Sequence, residues 1–144
     1  MKETEKAGNE KKSVQERRRY EPEEIRDEIL LSFADGIGSL MTRRLMNYFS
    51  SASSVLAAPE EELTKVGGVG PKLANHIRTV RNKYNIDDVI NVCRREEIDI
   101  ICQEDQRYPE SLLRIPDPPV LLYQRGEILP EDTLSLSVVG TRGL

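Results

Sequence analysis

A short glycine-rich segment occurs twice in the chain, and the two copies lie 32 residues apart. Gly36-Ile37-Gly38 in the first copy corresponds to Gly68-Val69-Gly70 in the second. Flanking residues coincide at the same shift, and these pairs are Leu31 with Leu63, Thr42 with Ala74, and Leu45 with Ile77. Two copies are too few for a solenoid, so the repeat predicts two similar units of helix, tight turn and helix that pack as a pair.

Each glycine pair suits a turn that brings the start of a helix to the surface. The first glycine permits a positive φ, and the second lets another backbone come close. The first N–H groups of the following helix have no partner inside the helix and carry partial positive charge, so they can bind a phosphate oxygen. Ile37 and Val69 are expected to anchor the turns in the core. The candidate phosphate contacts are Gly36, Gly38 and Arg43 at the first turn, with Arg44 as a further cation, and Gly68, Gly70 and Lys72 at the second.

Composition excludes several classes of protein. The 144 residues carry a net charge of −4, which rules out a generally basic, histone-like coat. Residues 36–84 alone carry +4, so a local basic face is expected there. With two cysteines and only His76 among histidines, we expect no disulfide scaffold, metal centre or cofactor, and we expect His76 to be a polar residue without a catalytic role. No apolar run approaches the roughly 20 residues that cross a bilayer, so a cytoplasmic protein without membrane contact is predicted.

The chain divides into three parts. Residues 1–20 have almost no apolar content and predict a disordered charged arm. Residues 21–84 predict a mainly α domain, and residues 85–144 predict the beginning of an α/β domain, left incomplete because no crossover helix follows its third strand. The predicted helices cover roughly 22–33, 40–49, 55–58, 60–66, 71–84 and 87–97, and the predicted strands are Ile98–Cys102, Val120–Tyr123 and Leu134–Val139.

The segment Lys65–Ile77 resembles the helix-hairpin-helix DNA-binding motif, and Asp35–Thr42 is a looser copy. This resemblance implies a tandem helix-hairpin-helix domain of the SAM-like type. It also implies that the turns hold backbone phosphates without reading the base sequence. The alternative is that both turns are purely structural and serve protein contacts.

The order YPxxLxxIxDPPxxLYxxG over Tyr108–Gly126, followed by SVVGTR over Ser137–Arg142, resembles the DNA-processing protein A (DprA, or Smf) family. The resemblance implies a Rossmann-like domain and a protein that binds single-stranded DNA, protects incoming strands in natural transformation and helps load a RecA-type recombinase. It makes Gly140, Thr141 and Arg142 candidate DNA contacts, with Arg142 foremost. A homodimer is implied only for the complete protein. Because the sequence stops at Leu144, we expect either a fragment or a truncated gene product.

Three functions are therefore compared. The leading hypothesis is a non-enzymatic DNA-binding protein of this family. A protein-interaction module is the alternative, favoured by the acidic segment 20–35 and by the lack of Lys or Arg directly after Gly38. An enzyme that acts on nucleotides has little support, because no acidic cluster or nucleophile accompanies Gly140, Thr141 and Arg142.

Overall fold

The computed structural model of the chain describes residues 17–129, and helix is their dominant secondary structure. The predicted strand Leu134–Val139, the candidates Gly140, Thr141 and Arg142, and residues 1–16 of the predicted arm lie outside this range. The elements in chain order are α1 (Arg26–Ser32), α2 (Ser39–Phe49), α3 (Ala52–Ala57), α4 (Glu60–Leu63), α5 (Pro71–Lys83), α6 (Ile86–Arg95), β1 (Ile98–Cys102), α7 (Glu110–Leu113) and β2 (Leu121–Arg125).

The helix boundaries follow from local chemistry. Pro71 occupies the first position of α5, where its missing N–H costs no hydrogen bond. The Ser51 hydroxyl caps α3 by accepting from the amide of Ser54, and the Asn85 side chain caps α6. α6 also has acidic residues in its first turn and arginines in its last, the arrangement that the helix dipole favours. These helices agree with the predicted ones to within a few residues.

The first hydrophobic core lies among α1 to α5 and contains both copies of the repeat. Leu31 and Leu63 are fully buried there, as are Leu45 and Ile77. Thr42 is also buried, and its hydroxyl donates to the carbonyl of Gly38 at 3.1 Å. The residues that coincide at a shift of 32 thus occupy equivalent places in one core.

A second core begins on another face of α1. Ile25, just before α1, and Ile29 within it pack with Ile90 and Cys93 of α6 and with β1. Helix α1 therefore contributes to both cores, although the sequence analysis assigned it to residues 21–84 alone. Within residues 17–129, no helix is both long and apolar enough to span a membrane.

Strands β1 and β2 pair antiparallel, with Ile98 opposite Arg125 and Cys102 opposite Leu121. This small sheet after a helical part is compatible with the predicted start of an α/β domain, although its two strands are antiparallel. The reason lies at the end of β1, where the Gln103 amide donates to the carbonyls of Pro118 and Pro119, both at 2.9 Å. The chain is thus held beside the point where β1 ends, so β2 must run back along it.

The connection between the strands is rigid and contains α7, which the sequence analysis did not predict. Tyr108 is buried, and its hydroxyl donates to the carbonyl of Pro119 at 2.6 Å. The Tyr–Pro and Pro–Pro ends of the YP…DPP block therefore contact each other directly. Leu112 in α7 is half-buried. The strand predicted after the prolines is β2, and its residues are only partly buried.

A buried carboxylate joins this connection to the start of the described chain. Asp105 has no exposed surface and accepts hydrogen bonds from the Arg107 backbone and guanidinium and from the amide of Tyr20. The amide of Gln106 also donates to the carbonyl of Arg18. Residues 18–20 were predicted to lie in a disordered arm, but these contacts hold them against the fold.

We predict that Asp105 makes stability sensitive to acid. Burial opposes its ionisation, but hydrogen bonds from Arg107 and Tyr20 outweigh burial and hold the pKa of Asp105 below its usual value. A carboxyl with a lowered folded pKa stabilises the fold above its unfolded pKa, about 3.9, and this contribution is lost as the pH falls through the folded pKa. Asp105→Asn should lower the free energy of unfolding at pH 7 by at least about 1.5 kcal/mol and by less at pH 3, measured by urea titration.

Asp99→Asn is the matched control, because Asp99 pairs with the same Arg107 at 2.9 Å but its side chain is 47% exposed. It should change stability at pH 7 by less than about 1 kcal/mol. Equal effects of the two substitutions would contradict the role assigned to Asp105.

Candidate functional site

The first turn (Asp35–Gly38) and the second turn (Gly67–Gly70) have the same backbone conformation. Gly36 and Gly68 adopt φ of +90° and +93°, where glycine is strongly favoured. Gly38 and Gly70 are extended and directly precede α2 and α5. In each turn the amide of the central apolar residue donates to the carbonyl three residues earlier, Ile37 to Ala34 and Val69 to Val66. The predicted repeat is thus present in the backbone itself.

The two turns exchange equivalent polar contacts. The Arg44 guanidinium donates to the carbonyl of Gly67 at 3.3 Å. The His76 Nδ1 lies 2.7 Å from the carbonyl of Asp35, so it carries the proton that this bond requires. His76 and Arg44 are equivalent in the repeat, as are Asp35 and Gly67. Reciprocal contacts of this kind relate the two units by an approximate local two-fold axis.

Apolar contacts obey the same symmetry. A Cβ atom on Gly68 would lie 2.8 Å from Met41 Cε, and one on Gly36 would lie 3.8 Å from Leu73 Cδ1. Met41 and Leu73 are again 32 residues apart. His76 is half-buried, and its contact with the Asp35 carbonyl helps to hold the two turns together.

Both turns place helix N-termini at the surface. Gly38 and Gly70 are exposed, and their carbonyls accept the first helical bonds, from Thr42 at 2.9 Å and Ala74 at 3.0 Å. The preceding amides of each helix have no intrahelical partner, so each turn offers N–H donors and partial positive charge to an anion. Pro71 removes one donor from the second turn.

The cations near the turns differ in their availability. Arg43 pairs with Asp117 at 3.0 Å, so a carboxylate already offsets its charge. Among the ion pairs formed within residues 17–129, none involves Lys72 or Arg44. Both lie beside the second turn, since Lys72 follows it in the chain and Arg44 contacts its carbonyl. The second turn is therefore the more basic one.

The structure describes six of the candidates predicted from sequence, and three of them, Gly36, Gly70 and Lys72, line one cavity. The other three are Gly38, Arg43 and Gly68. Arg44 was predicted beside the first turn, but the structure places it beside the second. Positions 44 and 76 are equivalent in the repeat, and this equivalence would have suggested the placement. The structure also reveals Asp105 and Arg107, which sequence reasoning did not single out. Within the described part of the chain, no group of three or more His, Cys, Asp or Glu could hold a metal ion.

Comparisons with known proteins find a family model and relatives that match parts of the chain. Residues 99–144 match the model of the family described as DNA recombination-mediator protein A. The chain is 27% identical over 111 residues to Protein Smf of Synechocystis, covering 74% of this chain and 28% of that protein. It is 44% identical over 57 residues to UvrABC system protein C of Haloarcula marismortui, covering 38% of this chain and 10% of that protein. The chain thus spans under a third of either relative, and no solved structure matches it.

We predict that the positive φ of Gly68 makes this position intolerant of a side chain. Gly68→Ala should lower the free energy of unfolding by about 1–3 kcal/mol, because alanine is strained at this φ and Met41 must move. Gly70→Ala is the matched control, since Gly70 is extended and has open space around its Cα. It should change stability by less than about 0.5 kcal/mol in the same urea titration. A similar loss in both variants would show that the turn does not depend on φ at Gly68.

Proposed function

Because the chain belongs to the DNA recombination-mediator protein A family, we propose that it is part of a protein that binds single-stranded DNA during recombination. In this proposal the protein protects incoming strands in natural transformation and helps load a RecA-type recombinase. It acts in the cytoplasm without catalysing a reaction. The observation that carries the proposal is the match of residues 99–144 to the family model.

The structure of the matched segment supports this assignment. The Tyr108 hydroxyl joins the two ends of the YP…DPP block, and the Gln103 amide joins its proline end to the end of β1. Asp105 and Arg107 hold the same block against the N-terminal part of the fold. The block is thus held to the N-terminal part of the fold, and it precedes the candidate Arg142 in the sequence.

We interpret the two turns as tandem helix-hairpin-helix motifs that contact the phosphate backbone. Their support is the shared backbone conformation, the helix N-termini at Gly38 and Gly70, and the uncompensated charges of Lys72 and Arg44. On this interpretation the second turn contributes more than the first to electrostatic binding.

The alternative is a protein-interaction module in which the turns are structural. One observation favours it for the first turn, since Arg43 is paired with Asp117 and the exposed residue that follows the turn is Leu40. Under this alternative, charge reversal beside the second turn leaves DNA binding unchanged.

We predict that the full-length protein binds single-stranded oligonucleotides and that affinity falls as salt rises, because counterions are released from the phosphates. Arg142→Ala should weaken binding by about tenfold, since it removes a charge-assisted contact. Fluorescence anisotropy at two salt concentrations measures both effects. Arg95→Ala is the control, because Arg95 lies on α6 away from the turns and its side chain is 72% exposed. Absence of binding would refute the proposed function, and a silent Arg142→Ala would refute the role of that residue.

We predict that Lys72→Glu weakens the same binding and reduces its salt dependence by roughly one to two counterions, because one cation is replaced by an anion. Arg95→Glu is the matched charge reversal and should have little effect. If the two reversals act equally, the effect belongs to net charge and the contact assigned to the second turn is wrong.

A further inference from the structure

An open cleft of about 340 Å³ lies between the first turn and β2. One wall comes from the end of α1 and the first turn, with Phe33, Ile37 and Gly38. The other comes from the proline segment and β2, with Pro119, Val120 and Tyr123. This volume lies near the lower end of the roughly 300–1,000 Å³ typical of small-ligand clefts, so the space suits one small planar group rather than a folded segment.

The walls of the cleft are apolar and uncharged. No Asp, Glu, Lys or Arg lines it, and its polar groups are hydroxyls, those of Ser32, Ser39, Thr42 and Tyr123. Tyr123 is the aromatic residue most open to solvent there, with 48% of its surface exposed. The ion pair of Arg43 on α2 with Asp117 in the proline segment ties the two walls together at 3.0 Å. The cleft is therefore a built feature that two separate parts of the chain maintain.

The first turn differs from the second in a way that matches this cleft. Leu40, half-exposed, stands where the repeat places Lys72 beside the second turn. The second turn thus offers charge to a phosphate, whereas the first offers apolar surface and an adjoining aromatic ring. Apolar and aromatic surfaces beside a phosphate contact are the combination that binds unstacked bases.

We propose, on the basis of the DNA binding inferred above, that the cleft holds one unpaired base of a single DNA strand whose backbone passes the first turn at Gly38. Tyr123 stacks on the base, and the hydroxyl of Ser39 faces its edge. Stacking requires a base that has left its neighbours, so this site favours single strands over duplex. A base is favoured over a charged peptide because the lining offers no ion-pair partner, and over a bare phosphate because the lining contains no cation.

The test combines two substitutions in the protein with one change in the DNA. Anisotropy titrations of the full-length protein use a fluorescent oligothymidylate and an abasic oligonucleotide of the same length. Tyr123→Ala should weaken binding of oligothymidylate by at least about fivefold and leave abasic binding within about twofold. Tyr123→Phe should retain the wild-type affinity, because the ring suffices for stacking. Val92→Ala is the control, since Val92 is a 44% exposed apolar residue on α6 that lines neither the cleft nor the cavities beside the turns.

The outcomes separate this proposal from the proposed function. Salt-dependent binding of oligothymidylate with a silent Tyr123→Ala overturns the base site alone, and so does an equal loss for both oligonucleotides. If the wild-type protein binds no DNA, both proposals fail. Photocrosslinking of wild-type protein to an oligonucleotide with 5-iodouracil provides a test that does not depend on the folding of any variant. The crosslink should map to Pro119–Tyr123 or to residues 37–40, and crosslinks confined to other segments overturn the proposal.

Discussion

The arrangement of the helical part depends on the close approach of two turns, each of which has a glycine at a positive φ. At Gly68 there is no room for a Cβ atom unless Met41 moves, and the backbone φ disfavours any other residue. The same approach lets Arg44 reach the carbonyl of one turn while His76 reaches the carbonyl of the other. Because these contacts come in equivalent pairs, a change in one turn alters the support of its partner.

The symmetry of the backbone does not extend to the side chains that face solvent. Lys72 and Arg44 give the second turn an available positive charge, whereas Arg43 beside the first turn is paired with Asp117. Leu40 replaces the lysine, and an uncharged cleft opens next to it. Duplicated backbone geometry with different side chains allows two copies of one motif to bind different parts of the same nucleotide chain.

Periodic apolar residues made much of this fold predictable. The shift of 32 residues located both turns and paired Leu45 with Ile77 in the core, because turn glycines and buried residues leave a signal in local sequence. Strand β1 was predicted with its observed bounds for the same reason.

The antiparallel pairing was not predictable, since it depends on the bonds from Gln103 to two proline carbonyls that are 15 and 16 residues away. Asp105 and Arg107 were missed because charged residues in a polar stretch give no sign of burial. Likewise, the cleft joins positions more than 70 residues apart, so no local pattern indicates it.

Helix α1, seven residues long, contributes to two hydrophobic cores. Leu30 and Leu31 pack in one, and Ile29 packs in the other. A shortened polypeptide that ends at residue 84 would keep both glycine turns but lose α6 and β1. Ile25 and Ile29 would then face water, together with the aromatic rings of Tyr20 and Phe33 that pack beside them. Recombinant preparations of the helical part therefore gain solubility from retaining the chain at least through β1, even where only the turns are of interest.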